Sequence, residues 1–210
     1  MTSPLTPSEF QKMTGVSGEV LSRLSLYADL LRKWQKKINI VGKSTLPDLW
    51  RRHMLDSAQL FPLIAEQEGP FIDLGSGGGF PGLVLAIMGA GPYILVDSDQ
   101  RKGIFMREVI RQCGANATVH TGRIEALELP ESASVITSRA CASVEKLLIL
   151  SDKIRSKSTF CVFLKGAAVD DELTESAKKW KMDAVRTPSL SDPEGVVLQL
   201  RAIVRTQDQV

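Results

Sequence analysis

The sequence predicts an α/β fold, with a mostly parallel sheet covered by helices on both faces and a helical extension in front of it. Three observations predict it. From Phe71 onward, short aliphatic runs alternate with stretches of helical period. The first run, FIDLG, opens into five glycines within the eight positions 75–82. The final third then breaks the alternation with two strand-like runs and no helix between them.

The elements follow in order. Residues 6–13 read as a short helix, with Thr6 as cap, Pro7 in the first turn and Glu9 at the capping-box position. Ser17 or Gly18 opens a longer helix, whose apolar stripe runs Val20, Leu24, Tyr27, Leu31, Trp34 and Ile38 until Gly42 ends it. Leu46 to about Ala65 reads as one or two further helices, broken near Pro62 and apolar around most of the circumference. Strands are expected at FIDLG, YILVD, ATVHTG, SVITSRA and TFCVFLKG. Helices are expected at GLVLAIM, 101–112, 143–154 and 169–180. Alternation of this kind builds a parallel sheet buried on both faces. Residues 181–187 and GVVLQLRAIVR close the sheet as a hairpin with one antiparallel strand, seven strands in all. Residues 1–66 are thus an N-terminal helical extension packed on a single Rossmann-like unit, 67–210.

Composition narrows the class. A chain of 210 residues, 43% hydrophobic, suffices for one buried α/β unit with an extension. A net charge of +2 gives no global case for nucleic acid, so local charge must make it. Cys113, Cys141 and Cys161 are scattered and lack zinc-site spacing. The N-terminus lacks a leader pattern, and no apolar run is long enough for a membrane span. A cytoplasmic, monomeric protein without a metal is expected.

A strand that ends in glycines and feeds a helix brings a ligand close to the backbone. The GK[ST] ending of a P-loop is missing, since Phe-Pro-Gly stands there. Gly77, Gly79 and Gly82 satisfy the dinucleotide pattern, with Asp97 placed 20 residues after Gly77. S-adenosylmethionine fits better: Asp73, Gly75, Gly77 and Gly79 give acid-x-G-x-G-x-G, and Asp73 would oppose a pyrophosphate but suit a cationic methionine end. The terminal hairpin is the variant that marks the class I methyltransferase sheet. Asp97 is the expected ribose acceptor, with Asp99 second. The backbone of Ile124 and Glu125, in RIEAL, is expected at the adenine edge. A nicotinamide-dependent oxidoreductase, and an RNA-binding protein with an inactive cofactor loop, remain as alternatives.

Further residues are candidates by position. Arg139 ends the fourth strand, where this fold faces its substrate, and could meet the cofactor, an RNA phosphate or a base edge. Lys165 ends the fifth strand and could meet a phosphate. Between Arg32 and His53 lie seven Lys or Arg and one Asp, including Lys36, Lys37 and Arg52, near Trp34 and Trp50. This run is the expected RNA contact. His53 and Asp56 lie three apart and are expected to hydrogen-bond over the cofactor mouth rather than to catalyse. Cys141 and Cys161 read as small buried residues rather than nucleophiles.

The motifs NIVGKST, RRHMLDSAQL, FIDLGSGGGFPGLVLAI, VDSDQRKGIFMREV, GRIEAL, VITSRACAS and VFLKG occur in this order. Together, over about residues 35–166, they resemble the bacterial small-subunit ribosomal RNA methyltransferase G family, also called glucose-inhibited division protein B. The resemblance implies methyl transfer from S-adenosylmethionine to the N7 of a guanine in the decoding region of 16S ribosomal RNA, free or in the small subunit. It also implies cofactor contacts at Gly75, Phe80, the Ile124–Glu125 backbone and Arg139. A guanine N7 has no proton to lose, so alignment rather than a general base is the expected requirement, and no catalytic residue is assigned.

Overall fold

The computed structural model describes residues 3–206. Seven strands form one sheet: β1 Phe71–Leu74, β2 Tyr93–Asp97, β3 Ala117–Thr121, β4 Ala133–Arg139, β5 Arg155–Lys165, β6 Trp180–Pro188 and β7 Val196–Arg205. Their order across the sheet is β3-β2-β1-β4-β5-β7-β6. β1 to β5 run parallel, whereas β7 is antiparallel to both of its neighbours, β5 and β6. The chain therefore has the predicted parallel sheet with one reversed strand. All four residues of β1 are buried, as a central strand covered on both faces requires.

Three helices alternate with the strands as the sequence predicts: α5 Gly82–Met88, α6 Gln100–Cys113 and α7 Val144–Leu150. A fourth, α8 Val169–Ala177, precedes the hairpin and is shorter than expected because β6 begins at Trp180. One face of the sheet packs with the N-terminal helices, in a core that joins Phe10, Leu24, Tyr27 and Trp50 to Leu83, Leu95 and Phe105. The other face buries Ile72, Leu74, Leu148, Phe163 and Trp180. The apolar core thus runs continuously across the predicted boundary at residue 66.

The first helix, α1 Pro7–Thr14, carries its capping box: Glu9 N donates to Thr6 Oγ1 at 3.2 Å and Thr6 N donates to the Glu9 carboxylate at 2.8 Å. α2 Gly18–Gln35 buries Leu24, Tyr27 and Leu31, the expected stripe. It stops before Ile38 and Gly42, and Gln35 explains why. Its Oε1 accepts from Ile40 N at 2.9 Å and Val41 N at 3.0 Å, while its Nε2 donates to Val41 O at 2.9 Å. That side chain replaces the next helical turn and folds the chain back. Farther up α2, Arg23 donates to the carbonyls of Cys113 and Gly114, each at 2.6 Å, and so caps the C-terminus of α6 with a cation.

The one or two helices expected over Leu46 to about Ala65, broken near Pro62, appear as four short pieces with the break at 59–60. They are a 3₁₀ turn Lys43–Asp48, a π-helical turn Trp50–Leu55, α3 Asp56–Ala58 and α4 Phe61–Ile64. Their inward residues are buried, as the apolar circumference predicts: Trp50, Met54, Leu55, Ala58, Leu60 and Ile64.

Candidate active site

The site lies at the C-terminal ends of β1, β2 and β4, where an α/β sheet offers loops and helix starts to a ligand. Asp73, near the end of β1, is fully buried. Its Oδ1 accepts from Thr137 Oγ1 at 2.9 Å and its Oδ2 from Gly82 N at 3.3 Å. Burial pushes its pKa up to about 6, against those hydrogen bonds. This corrects the expectation that Asp73 guards a cationic ligand: it lines neither cavity described below, and instead ties the start of α5 to β4 beneath the loop.

Above it the glycine loop turns. Gly75 has φ +65, and a Cβ there would lie 2.3 Å from Cys141 Sγ. The residue that excludes a side chain at 75 is therefore Cys141. Gly77, at φ +58, would place a Cβ 3.9 Å from its nearest atom, so one side of the loop is open. Asp97, at the tip of β2, holds this loop: its Oδ2 accepts from Gly77 N at 2.7 Å and its Oδ1 from Asp99 N at 2.8 Å. Asp99 caps α6 by accepting from Arg101 N at 2.8 Å. Unlike Asp97, Asp99 lines neither of the cavities described below.

Two cavities meet at Gly75, Cys141 and Ala142. The smaller, about 450 Å³, is lined by Asp97, Ile124 and Glu125 among others. The larger, about 830 Å³, is lined by Gly77, Phe80, Arg52, His53, Arg139, Lys165 and Asp192, also among others. The structure therefore groups Gly75, Asp97, Ile124 and Glu125 on one side and Gly75, Gly77, Phe80, Arg52, Arg139 and Lys165 on the other. Lys36 and Lys37 line neither cavity and stand exposed just past α2.

Arg139 organises the larger cavity. Its Nη1 donates to Arg52 O at 3.0 Å and to Asp56 Oδ2 at 3.3 Å, and its Nη2 donates to His53 Nδ1 at 2.8 Å. Its guanidinium lies 4.9 Å from the centre of the Phe80 ring. An arginine can only donate, so His53 Nδ1 carries no proton. The His53 proton sits on Nε2 and donates to Thr45 Oγ1 at 2.7 Å, and Thr45 Oγ1 donates to Gly42 O at 2.7 Å. Burial, reinforced by Arg139 and Arg52, pushes the His53 pKa down to about 3. The expected His53–Asp56 hydrogen bond is not formed; each bonds Arg139 instead.

Lys165 also differs from its expectation. Its side chain is 8% exposed, and the ammonium pairs with Glu172 at 2.6 Å and donates to Ala142 O at 2.8 Å. Glu172 also accepts from Val144 N at 2.8 Å, so the pair clamps the turn that carries Cys141. Two of the three ammonium donors are thus already taken within the chain. Cys141 is exposed, not buried as read from the sequence, and its thiol pKa is raised by partial burial. Cys161 is buried, with its thiol pushed up to about 12.

The profile of the family described as rRNA small subunit methyltransferase G (GidB) matches residues 20–197. The chain belongs to this family. The ribosomal RNA small subunit methyltransferase G of Paramagnetospirillum magneticum is 53% identical, over 97% of this chain and 98% of the relative. That of Parvibaculum lavamentivorans is 51% identical, over 92% and 88%. Among solved structures, a methyltransferase from Geobacter sulfurreducens shares the fold at TM-score 0.62 and 13% identity, over 94% of this chain and 98% of its own. The glycopeptide N-methyltransferase MtfA, solved with S-adenosyl-L-homocysteine, does so at TM-score 0.61 and 9% identity, over 71% and 89%.

Several site residues escaped the sequence reading. Tyr27, read only as part of a helix stripe, hydrogen-bonds the Gly78 carbonyl and stacks on Phe80 at 5.2 Å. Thr45 orients His53. Ser191 donates to Asp56 Oδ1 at 2.5 Å and Asp192 pairs with Arg52 at 2.6 Å, both from the hairpin loop. The two hairpin-loop pairs join residues more than a hundred positions apart and carry no local pattern. Among the described residues, no group of three or more His, Cys, Asp or Glu could hold a metal, and no helix is long and apolar enough to cross a membrane.

Proposed function

We propose that the chain transfers a methyl group from S-adenosylmethionine to N7 of a guanine in the decoding region of 16S ribosomal RNA. The observation that carries this reading is the meeting of the two cavities at Gly75 and Cys141. One side has the size and acceptors for a nucleoside; the other is wide enough for a base presented by a larger substrate.

The residues fit the donor. Gly77 leaves its outer side open where a Cβ would stand, and Asp97 has a carboxylate at the mouth of the smaller cavity beside Ile124 and Glu125. The donor supplies a sulfonium methyl as an electrophile. Asp97 would accept from ribose hydroxyls through lone pairs left by its two backbone bonds. The Ile124–Glu125 backbone would meet the base edge. Gly77 and Phe80 would hold the methionine end of the donor toward the target and exclude water.

The titratable groups around the larger cavity favour a nucleophile that has no proton to give up. His53 Nδ1 is occupied by Arg139. Asp56 accepts from Arg139, Ser191 and Gln59. The raised Cys141 pKa disfavours the thiolate that cytosine C5 chemistry needs. Guanine N7 reacts through a lone pair, so positioning suffices. Lys36, Lys37 and Lys43 are exposed beside the cleft-lining segment 40–45 and offer charge to the RNA backbone.

The test uses 16S RNA from a strain lacking this gene, with labelled S-adenosylmethionine and mass-spectrometric mapping of the product. Label at N7 of one guanine is expected. Label at another atom would overturn the N7 assignment, and no label would overturn the activity. In thermal melts S-adenosylhomocysteine should raise Tm; a rise with NAD alone would return the reading to an oxidoreductase.

A further inference from the structure

The hairpin loop between β6 and β7 reaches across to the π-helical turn and forms one rim of the larger cavity. Gln59 Nε2 donates to Ser189 Oγ at 3.0 Å, and Leu190 N donates to Gln59 Oε1 at 2.8 Å. Ser191 donates to Asp56. These contacts anchor the loop whether or not Asp192 is charged. Asp192 makes a different contact. Its Oδ2 accepts from Arg52 Nη1 at 2.6 Å, while its Oδ1 accepts from Glu194 N at 3.1 Å. The loop backbone is closed by Gly195 N to Asp192 O and Ser189 N to Gly195 O, both at 2.9 Å. Both charged side chains of the pair keep solvent access, 41% for Arg52 and 33% for Asp192, and both residues line the cavity.

A single carboxylate oxygen on one arginine nitrogen presents the charge and geometry that a phosphate oxygen would. Arg52 has no other side-chain acceptor among the described residues, so this carboxylate and an incoming phosphate compete for the same guanidinium. We infer that Asp192 is an internal stand-in for an RNA phosphate, occupying Arg52 until the substrate backbone replaces it, and so sets how tightly this methyltransferase holds RNA. The inference rests on the RNA-substrate reading above. An exposed ion pair is weak, so the exchange is open to a phosphate. It also has a distinctive salt signature. When RNA takes Arg52 it sheds a counterion, but the freed Asp192 recruits one. The contact therefore adds little to the salt slope in the native chain.

The experiment measures binding of 16S RNA by fluorescence anisotropy across a salt series, for the native chain, Asp192→Asn, Arg52→Ala and the double variant. Asp192→Asn is expected to bind RNA about 5-fold tighter at low salt, with a log–log slope steeper by about one. In the Arg52→Ala background the same substitution should change nothing. S-adenosylhomocysteine titration should be unaltered in Asp192→Asn, which reports an intact cofactor side. Two results would overturn the inference: unchanged or weaker RNA binding by Asp192→Asn with native cofactor affinity, or a gain that persists without Arg52. If Asp192→Asn also loses cofactor affinity, the loop is a structural strut and the inference fails. The functional reading stands or falls separately, on whether the native chain methylates guanine N7.

Discussion

The carbonyl of Arg52 accepts a hydrogen bond from the guanidinium of Arg139 at 3.0 Å. In a regular α-helix that oxygen would belong to the N–H of Asp56. Here Asp56 N bonds instead to Arg51 O, five residues back, as a π-helical turn requires. The widened turn releases a carbonyl, and the end of β4 uses it. Arg139 is thus the link between the sheet and the segment that roofs the larger cavity.

Replacing Arg139 tests that link. Arg139→Ala leaves the Arg52 carbonyl, His53 Nδ1 and one Asp56 oxygen without their donor. A loss of about 2–4 kcal/mol is expected in urea unfolding, together with a large fall in methyl transfer. Arg139→Lys should recover little, because a lysine cannot span three acceptors in one plane. Full recovery by lysine would show that only the charge matters.

His53 and Asp73 pull stability in opposite directions on acidification. Burial, with Arg139 and Arg52, lowers His53 from 6.5 to about 3, so the unfolded chain takes the proton first. Its contribution is complete above pH 6.5 and is lost as pH falls toward 3. Asp73 is raised from 3.8 to about 6, so the folded chain takes the proton first, and stability gains as pH falls through that window. In urea titrations at about pH 7.5 and about pH 5, His53→Asn should be less acid-sensitive than the native chain and Asp73→Asn more so. The same pH dependence in all three proteins would refute both assignments.

Gly75→Ala places a methyl group where Cys141 Sγ now sits, at a φ that alanine adopts only under strain. Stability should fall by about 1–3 kcal/mol and S-adenosylhomocysteine affinity by at least about 10-fold. Adding Cys141→Gly should restore part of the stability, because the steric share is relieved and the backbone share is not. A double variant no better than the single one would place the clash elsewhere.

Lys36→Ala with Lys37→Ala touches neither cavity. RNA affinity should drop, most at low salt, and the log–log salt slope should shrink by about two. An unaltered slope would make these lysines a solvated helix end.

The alternation of strand and helix and the glycine cluster were legible because each depends on neighbours in the sequence. β1, β2 and β4 are short apolar runs, and the capping box of α1 is a four-residue pattern. The break of α2 was not legible, since Gln35 is a good helix former until its side chain finds the Ile40 and Val41 amides. Nor was the π-helical turn, whose freed Arg52 carbonyl is taken up by Arg139, far along the chain. Asp97 and Ile124 could be placed because strand ends set them. The partners of Lys165 and Arg52 could not, because Glu172 and Asp192 reach them only through tertiary packing.

The reversed strand has a consequence for how the protein is made on the ribosome. β7 lies between β5 and β6, and β6 has no other neighbour. While the chain is emerging, β6 has nothing to join until residues 196–205 arrive. The same event brings the 189–195 loop to its anchors on Gln59 and Asp56. A nascent chain can complete its parallel half, with the smaller cavity beside β1 and β2, while the rim of the larger one is still absent. This rim of the larger cavity is thus the last part to close, and a chain arrested before residue 196 would lack it.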